Sequence, residues 1–435
     1  MANSVSKLTD WVQLWLQGKI DEHHLLKQMP PAVAKTEELL GGSPPSAGYQ
    51  DAFLAAARHA REIRSRLEVS DEAAAQAAEE LVTTPPEKVA EGLLNEPGRW
   101  RPAVIQALVK RSREVVTRDT GEAFRRADLA LRAAWVFFSS CHREVGGNSM
   151  LHDQRARCFA HQGNALRLRS DYLRAEERFR LALEALELGS GDPLVEAEVH
   201  HLLGSLMRDR RHFQEAREAL RRAGWLYRSV GESQEAAKVL MNRAQTEREA
   251  ADPHAAVGIQ RRAIALLDFD KEPWWEAAAY INLALYLAEA GYGSAARRAL
   301  DEHPLAPDAD LRHHMFRDWI EGVVECSLGH YERASEKLEE ARQGFASVED
   351  GHRFAMATLD LALAQGSSGR WSEIHQLAAE SLSILHSLDV PGDAVAAFMV
   401  FQQATAAEAL TVATLRQMRR GLEEPRLWRR HEEPS

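Results

Sequence analysis

The chain has 435 residues, is 45% hydrophobic and 27% charged, and carries a formal net charge of −11. That length exceeds what one compact core usually fills, leaving several domains or an extended repeat array, and the apolar content excludes global disorder. The acidic balance excludes general binding to a phosphate backbone, and three scattered cysteines, Cys141, Cys158 and Cys326, make no disulfide framework and fit a reducing compartment.

Residues 1–97 read as a non-repeating helical head, with helices expected near 6–17, 19–28, 49–68, 71–82 and 86–94. The opening stretch has no basic segment, and its short apolar run is broken by Gln13 and Gln17, so no secretory signal is expected. No run of apolar residues is long enough to span a bilayer, and a cytoplasmic chain without membrane contact is expected. Trp11 and Trp15 share an amphipathic stripe with Leu8 and Val12, which suits a core or, alternatively, an anchor for a partner. Breaks at 29–31 (MPP) and 41–48 (GGSPPSAG) mark a flexible link. Pro86 and Pro102 suit first helical turns. Residues 98–150 read as a degenerate helix pair, with Ala123, Ala127 and Ala130 on one face and a glycine-containing connection at 146–148.

From 151 to 392 the chain repeats. Small residues at 163, 204, 244, 284, 322 and 362 are spaced 41, 40, 40, 38 and 40 apart. Twelve positions after Gly163 comes Ala175, then Phe179 and Ala182, and Gly204 is followed in the same way by Ala216, Leu220 and Ala223. The third unit has Ala244, Ala256 and Ala263, with Gln260 where an apolar residue is expected. The fourth has Ala284, Ala296 and Leu300, and the fifth Gly322, Ala334, Leu338 and Ala341. The sixth has Ala362, with Ile374 at the next small position. Small side chains let two helices cross closely, and each hairpin leaves an apolar face for the next to cover. The expectation is an all-α, right-handed superhelical solenoid of antiparallel hairpins. Capping helices at 393–422 and a loose tail at 423–435 complete it.

The spacing resembles the tetratricopeptide signature, and the Asp171-Tyr172 and His330-Tyr331 links match its usual turn. The period of about forty exceeds the family's usual one. It is similar to kinesin-light-chain-like repeats, as is the run Asn282 to Ala284, and to bacterial regulators of the maltose-activator type. The resemblance spans about 102–405. It implies fold more than function, because such folds host many roles.

Catalytic chemistry is not proposed by any local motif. There is no phosphate-binding glycine loop, HExxH or paired CxxC. Cys158 and His161, three apart, with His152 and Asp153 upstream, read as a buried cysteine beside a groove-edge histidine rather than a metal site. Acidic pairs such as Glu176-Glu177 and Glu339-Glu340 alternate with Arg and Lys as solvated helix faces do. No metal, cofactor or nucleic acid is expected, and residues 1–100 lack a basic recognition helix.

In tetratricopeptide arrays the first helix of each pair lines the concave surface. Helical spacing then turns Arg157, Ala160, Asn164 and Arg167 inward in the first pair and Glu198, His201, Ser205 and Arg208 in the second. The third gives Lys238, Met241, Gln245 and Arg248 with Asn242 at the rim, and the fourth Ala278, Ile281, Leu285 and Ala288 with Asn282. Phe316, Trp319, Val323 and Cys326 follow, then Met356, Leu359, Leu363 and Gly366. The candidate groove residues are Arg157, Asn164, Arg167, His201, Arg208, Lys238, Asn242, Gln245, Arg248, Asn282 and Trp319. They make one half basic and hydrogen-bonding and the other apolar, suited to a protein or peptide with acidic and apolar segments. Alternatively the apolar half is tight packing, a surface covered by the C-terminal helix, or a self-association patch. The expected function is a non-catalytic adaptor or scaffold, the alternative a ligand- or peptide-responsive regulatory component controlling a partner protein.

Overall fold

A computed structural model describes residues 71–141, 148–270, 274–305, 311–387, 401–403 and 410–422. The expectations for helices at 6–17, 19–28 and 49–68, for Trp11 and Trp15, and for the tail at 423–435 lie outside these residues. The described residues form an all-α array of helix hairpins, and the chain divides into two units at Leu206 and Met207.

In the first unit, α1 (Asp71–Thr83) and α2 (Pro86–Asn95) are the last two helices of the expected head. They precede α3 (Pro102–Val115) and α4 (Thr120–Cys141). The Trp100 indole donates to the Leu93 carbonyl at 2.9 Å, and Arg125 Nη2 donates to the Val82 carbonyl at 3.0 Å, tying α2 and α1 into the unit. Then come α5 (Asn148–Leu168), α6 (Tyr172–Glu187) and α7 (Pro193–Asp209), within which the division falls. The Arg155 guanidinium lies 5.4 Å from the Trp135 ring and 5.6 Å from that of Phe159, so a charged group completes an aromatic core.

The second unit takes in the end of α7 and then α8 (Phe213–Ser229). Four hairpins follow: α9 (Ser233–Glu249) with α10 (Pro253–Ile264), and α11 (Trp274–Glu289) with α12 (Gly293–Glu302). The others are α13 (Leu311–Leu328) with α14 (Tyr331–Ser347), and α15 (Gly351–Ser367) with α16 (Trp371–Ser387). A final helix, α17 (Val412–Leu422), packs on α15, and one apolar core runs through these elements.

The small residues that set the repeat do what their size allows. Gly163 faces the Phe179 ring so closely that an added Cβ would lie 2.8 Å from Cε2, and one on Gly322 would lie 2.5 Å from Leu338 Cγ. Ala244, Ala284 and Ala362 are fully buried. Gln260, the polar exception, is also fully buried, and it donates from Nε2 to the Ala279 carbonyl at 2.9 Å. The amide thus links α10 to the next hairpin at a position where its neighbours use an apolar side chain.

Helix ends repeat as faithfully. Ser170, Arg211, Ala251 and Glu349 hold φ between 57° and 66°, and Gly231, Gly291, Gly329 and Gly369 between 79° and 84°. The amide after each bonds back to the carbonyl five residues earlier, as in Asp171 N–H to the Leu166 carbonyl and Asp252 N–H to that of Glu247. This left-handed C-terminal cap satisfies carbonyls that the helix leaves open. Asp171, Asp252 and Asp350 then cap the following helix by accepting from a main-chain N–H three residues on.

Candidate functional site

The candidate groove residues all lie on first helices, and most are engaged with carboxylates or amides. In the first unit, Arg157 on α5 donates from Nε to Glu198 Oε2 on α7 at 2.8 Å. His161 Nε2 stands 2.8 Å from the other Glu198 oxygen. A carboxylate accepts, so Nε2 carries the hydrogen. Arg113 on α3 approaches the same group at 3.9 Å. Burial alone would push the Glu198 carboxyl upward, but the His161 hydrogen bond and the charges of His161, Arg157 and Arg113 hold it well below the usual carboxylate range. Asn164 Oδ1 accepts from Arg167 Nε at 3.0 Å and Nη2 at 2.9 Å, so these two form a local pair. His201 is half-buried on α7. Cys158 is buried and outside any disulfide, and no group of three metal-ligating side chains converges among the described residues.

In the second unit, Arg208 donates from Nη1 to Gln245 Oε1 at 2.9 Å and from Nη2 to Asp209 Oδ1 at 2.7 Å. Gln245 donates in turn to Glu249 Oε1 at 2.9 Å, and Arg208 Nε is 3.6 Å from the same oxygen. Burial raises the Glu249 carboxyl against the pull of Arg208. Arg248 grips Glu289 side-on, Nε to Oε2 at 2.8 Å and Nη2 to Oε1 at 2.9 Å. Lys238 bonds Glu235 at 2.8 Å and lies 5.4 Å from the Trp275 ring. Asn242 and Asn282 are half-buried on α9 and α11.

Trp319 sits differently. It is 6% exposed, and its indole donates to Asp360 Oδ2 at 2.8 Å. Arg419 on α17 donates to the other Asp360 oxygen at 2.8 Å and lies 5.8 Å from the Trp319 ring. Met356 Sδ is 3.3 Å from Arg419 Nη1, and fully buried Leu415 lies against Gly366. Helix α17 therefore covers the apolar first-helix face of the last two hairpins. The Cys326 thiol nearby is pushed up to about 12 by burial and by Asp360 and Glu325.

Sequence reasoning missed Glu249, Glu289, Asp360 and Arg419. A signal existed for the first three. Each lies 41 positions after Arg208, Arg248 and Trp319, as Glu198 does after Arg157.

A shallow cavity of about 410 Å³ lies elsewhere, lined by Ala73, Gln76, Ala77, Gly98, Arg99, Arg101 and Val104. Its lining includes no carboxylate or histidine, and Arg99 is already paired with Glu80 and Glu96.

No protein-family model matches the chain, and no curated protein matches it either. Among solved structures, BtubC (BKLC) from P. vanneervenii is similar at 18% identity, covering 56% of this chain and 97% of its own, with a TM-score of 0.41. A Rap protein complexed with competence and sporulation factor is 13% identical over 72% of this chain and 99% of its own, TM-score 0.42. Aspartyl phosphate phosphatase F from Bacillus subtilis is 12% identical over 96% and 94%, TM-score 0.41. Likenesses this distant assign the chain no function.

Proposed function

We propose that the chain is a non-catalytic adaptor or scaffold of tetratricopeptide type that binds a protein or peptide on its first-helix faces. The observation that carries this reading is the lateral tying of polar side chains from one first helix to the next. Arg208, Gln245 and Glu249 form one such network, and Arg248 with Glu289 another. Side chains fixed before a partner arrives lose little entropy on binding. Asn242 and Asn282, half-buried on the first helices that carry these networks, supply amides suited to a peptide backbone.

Selection of peptides from a random display library against the full chain tests the reading. Selected peptides are expected to lose affinity when Asn242 and Asn282 are both changed to Ala. Saturable binders indifferent to that double change, or no binder at all, would overturn it.

A second reading, a regulatory component controlling a partner, is favoured by the position of α17. Its Arg419 and Leu415 occupy a face that an incoming helix could use, so a partner could act by displacing it. In that case Arg419→Ala strengthens peptide binding. Unchanged binding argues against displacement.

A further inference from the structure

Several arginines in the second unit pair with carboxylates, as Arg217, Arg248 and Arg297 do. Arg221 and Arg228 on α8, Arg243 on α9 and Arg262 on α10 differ. None forms an ion pair with a described carboxylate, and Arg228 bonds only the Gly224 carbonyl, at 3.2 Å.

The helices bring these groups to one place. An added Cβ on Gly224 would lie 3.4 Å from Val239 Cγ1, which fixes the register of α8 against α9. Since a tight turn makes the two helices antiparallel, Arg243, one turn beyond Val239, comes level with Arg221, one turn before Gly224. Arg243 Nε is buried and has no hydrogen-bond acceptor. Burial, then Arg262, and also Arg221 and Arg228 press its pKa below the ordinary guanidinium value, against the pull of Glu247. The Glu247 carboxylate is itself held by Arg217, at 3.0 Å from Nε and 2.7 Å from Nη2. Arg243 lies two positions before Gln245, so it points away from the first-helix face that carries Gln245.

Trp225 stands beside the cluster, 55% exposed, four positions after Arg221 and three before Arg228. The Arg222 guanidinium is 5.5 Å from its ring. Exposed Trp flanked by Arg is the composition of a protein-binding hot spot. The basic area is also bounded. Glu215 and Glu218 are exposed on α8, and Glu232 is exposed at the start of α9. A continuous nucleic-acid backbone would meet those carboxylates, whereas a compact anion would not.

We propose that this face recognises a phosphorylated peptide segment, with Arg221, Arg243 and Arg262 receiving the phosphoryl group and Trp225 an adjacent apolar side chain. A phosphoryl dianion has three acceptor oxygens, enough for guanidinium groups from three helices at once, where a carboxylate has two. Arg clusters read phosphorylated motifs on this principle.

The test is retention of the full chain on immobilised random peptides with a central phosphoserine, phosphothreonine or phosphotyrosine, against the same peptides unphosphorylated. The expected result is preferential retention by the phosphorylated set, lost in Arg243→Gln and, independently, in the surface double variant Arg221→Gln with Arg262→Gln. Trp225→Ala is expected to remove any preference for apolar residues beside the phosphate. Thermal midpoints establish that the variants are folded. Equal retention by the two peptide sets, or retention unchanged in both variants, overturns the proposal. Duplex DNA displacing the phosphopeptides equally well in parent and variants overturns it in favour of a nucleic-acid surface.

Discussion

Arg248 and Glu289 lie 41 residues apart on successive first helices and meet through two nearly parallel hydrogen bonds of 2.8 and 2.9 Å. Side-on geometry is the strongest form of this contact, and Arg248 is 12% and Glu289 29% exposed, so solvent screens it only in part. A double-mutant cycle of Arg248→Ala and Glu289→Ala, read by urea unfolding, is expected to give a coupling of about 1 kcal/mol. Strict additivity of the two changes would mean that the pair does not help to hold neighbouring hairpins together.

His152 gives the first unit a predictable response to acid. It is 6% exposed and accepts a 2.7 Å hydrogen bond at Nδ1 from Arg155. Burial, and then the Arg155 charge, lower its pKa from 6.5 to about 4. The unfolded chain therefore binds this proton more readily than the folded one between those two values, and stability falls as pH drops through that window. The loss from this group alone is at most about 3 kcal/mol. Comparing unfolding free energies at pH 7 and 4.5 should show a smaller decrease for His152→Asn than for the parent chain. An equal decrease would assign the acid sensitivity to other groups.

Gly163→Ala sets two effects against each other. Alanine gains about 1 kcal/mol of helix propensity. The new Cβ, however, would lie 2.8 Å from the Phe179 ring and 3.3 Å from the Ala175 carbonyl, and the latter is backbone that cannot swing aside. Overpacking of this kind costs about 1–3 kcal/mol. Net destabilisation is expected in thermal or urea unfolding, and a more stable variant would mean that α5 and α6 cross less closely than these distances require.

Ala251 is expected to behave in the opposite sense. Its φ of 66° places a Cβ where only glycine is unstrained, in a turn whose counterparts at 231, 291, 329 and 369 are glycine. Ala251→Gly should therefore stabilise the α9–α10 hairpin by up to about 1 kcal/mol, offset in part by the freedom glycine adds to the unfolded chain. A lower thermal midpoint would contradict the assignment of that turn.

Those two positions mark how far the sequence could be read. The spacing of small residues was legible because close helix crossings leave no choice of side-chain size, as Gly163 and Gly322 illustrate. The left-handed turns were half legible: glycine announces four of them, but Ser170, Arg211, Ala251 and Glu349 carry no such mark. Gln260 stood out as a misfit, and only the structure places its amide on the Ala279 carbonyl. The cations Arg157, Arg167, Arg208, Lys238 and Arg248 were legible as first-helix residues. Their partners were not, because an ion pair depends on the side chain one repeat away, and no property of Arg248 alone points to Glu289. Likewise, the first-helix position of Trp319 was readable, whereas its cover by Arg419 is a contact with a helix far along the chain.

Amide hydrogen exchange of the full chain, with and without a display-selected peptide, tests the proposed binding face most directly. Added protection is expected in α9 and α11, where Asn242, Gln245, Arg248 and Asn282 lie. Protection confined to α8 and α10, or none in any first helix, would contradict it.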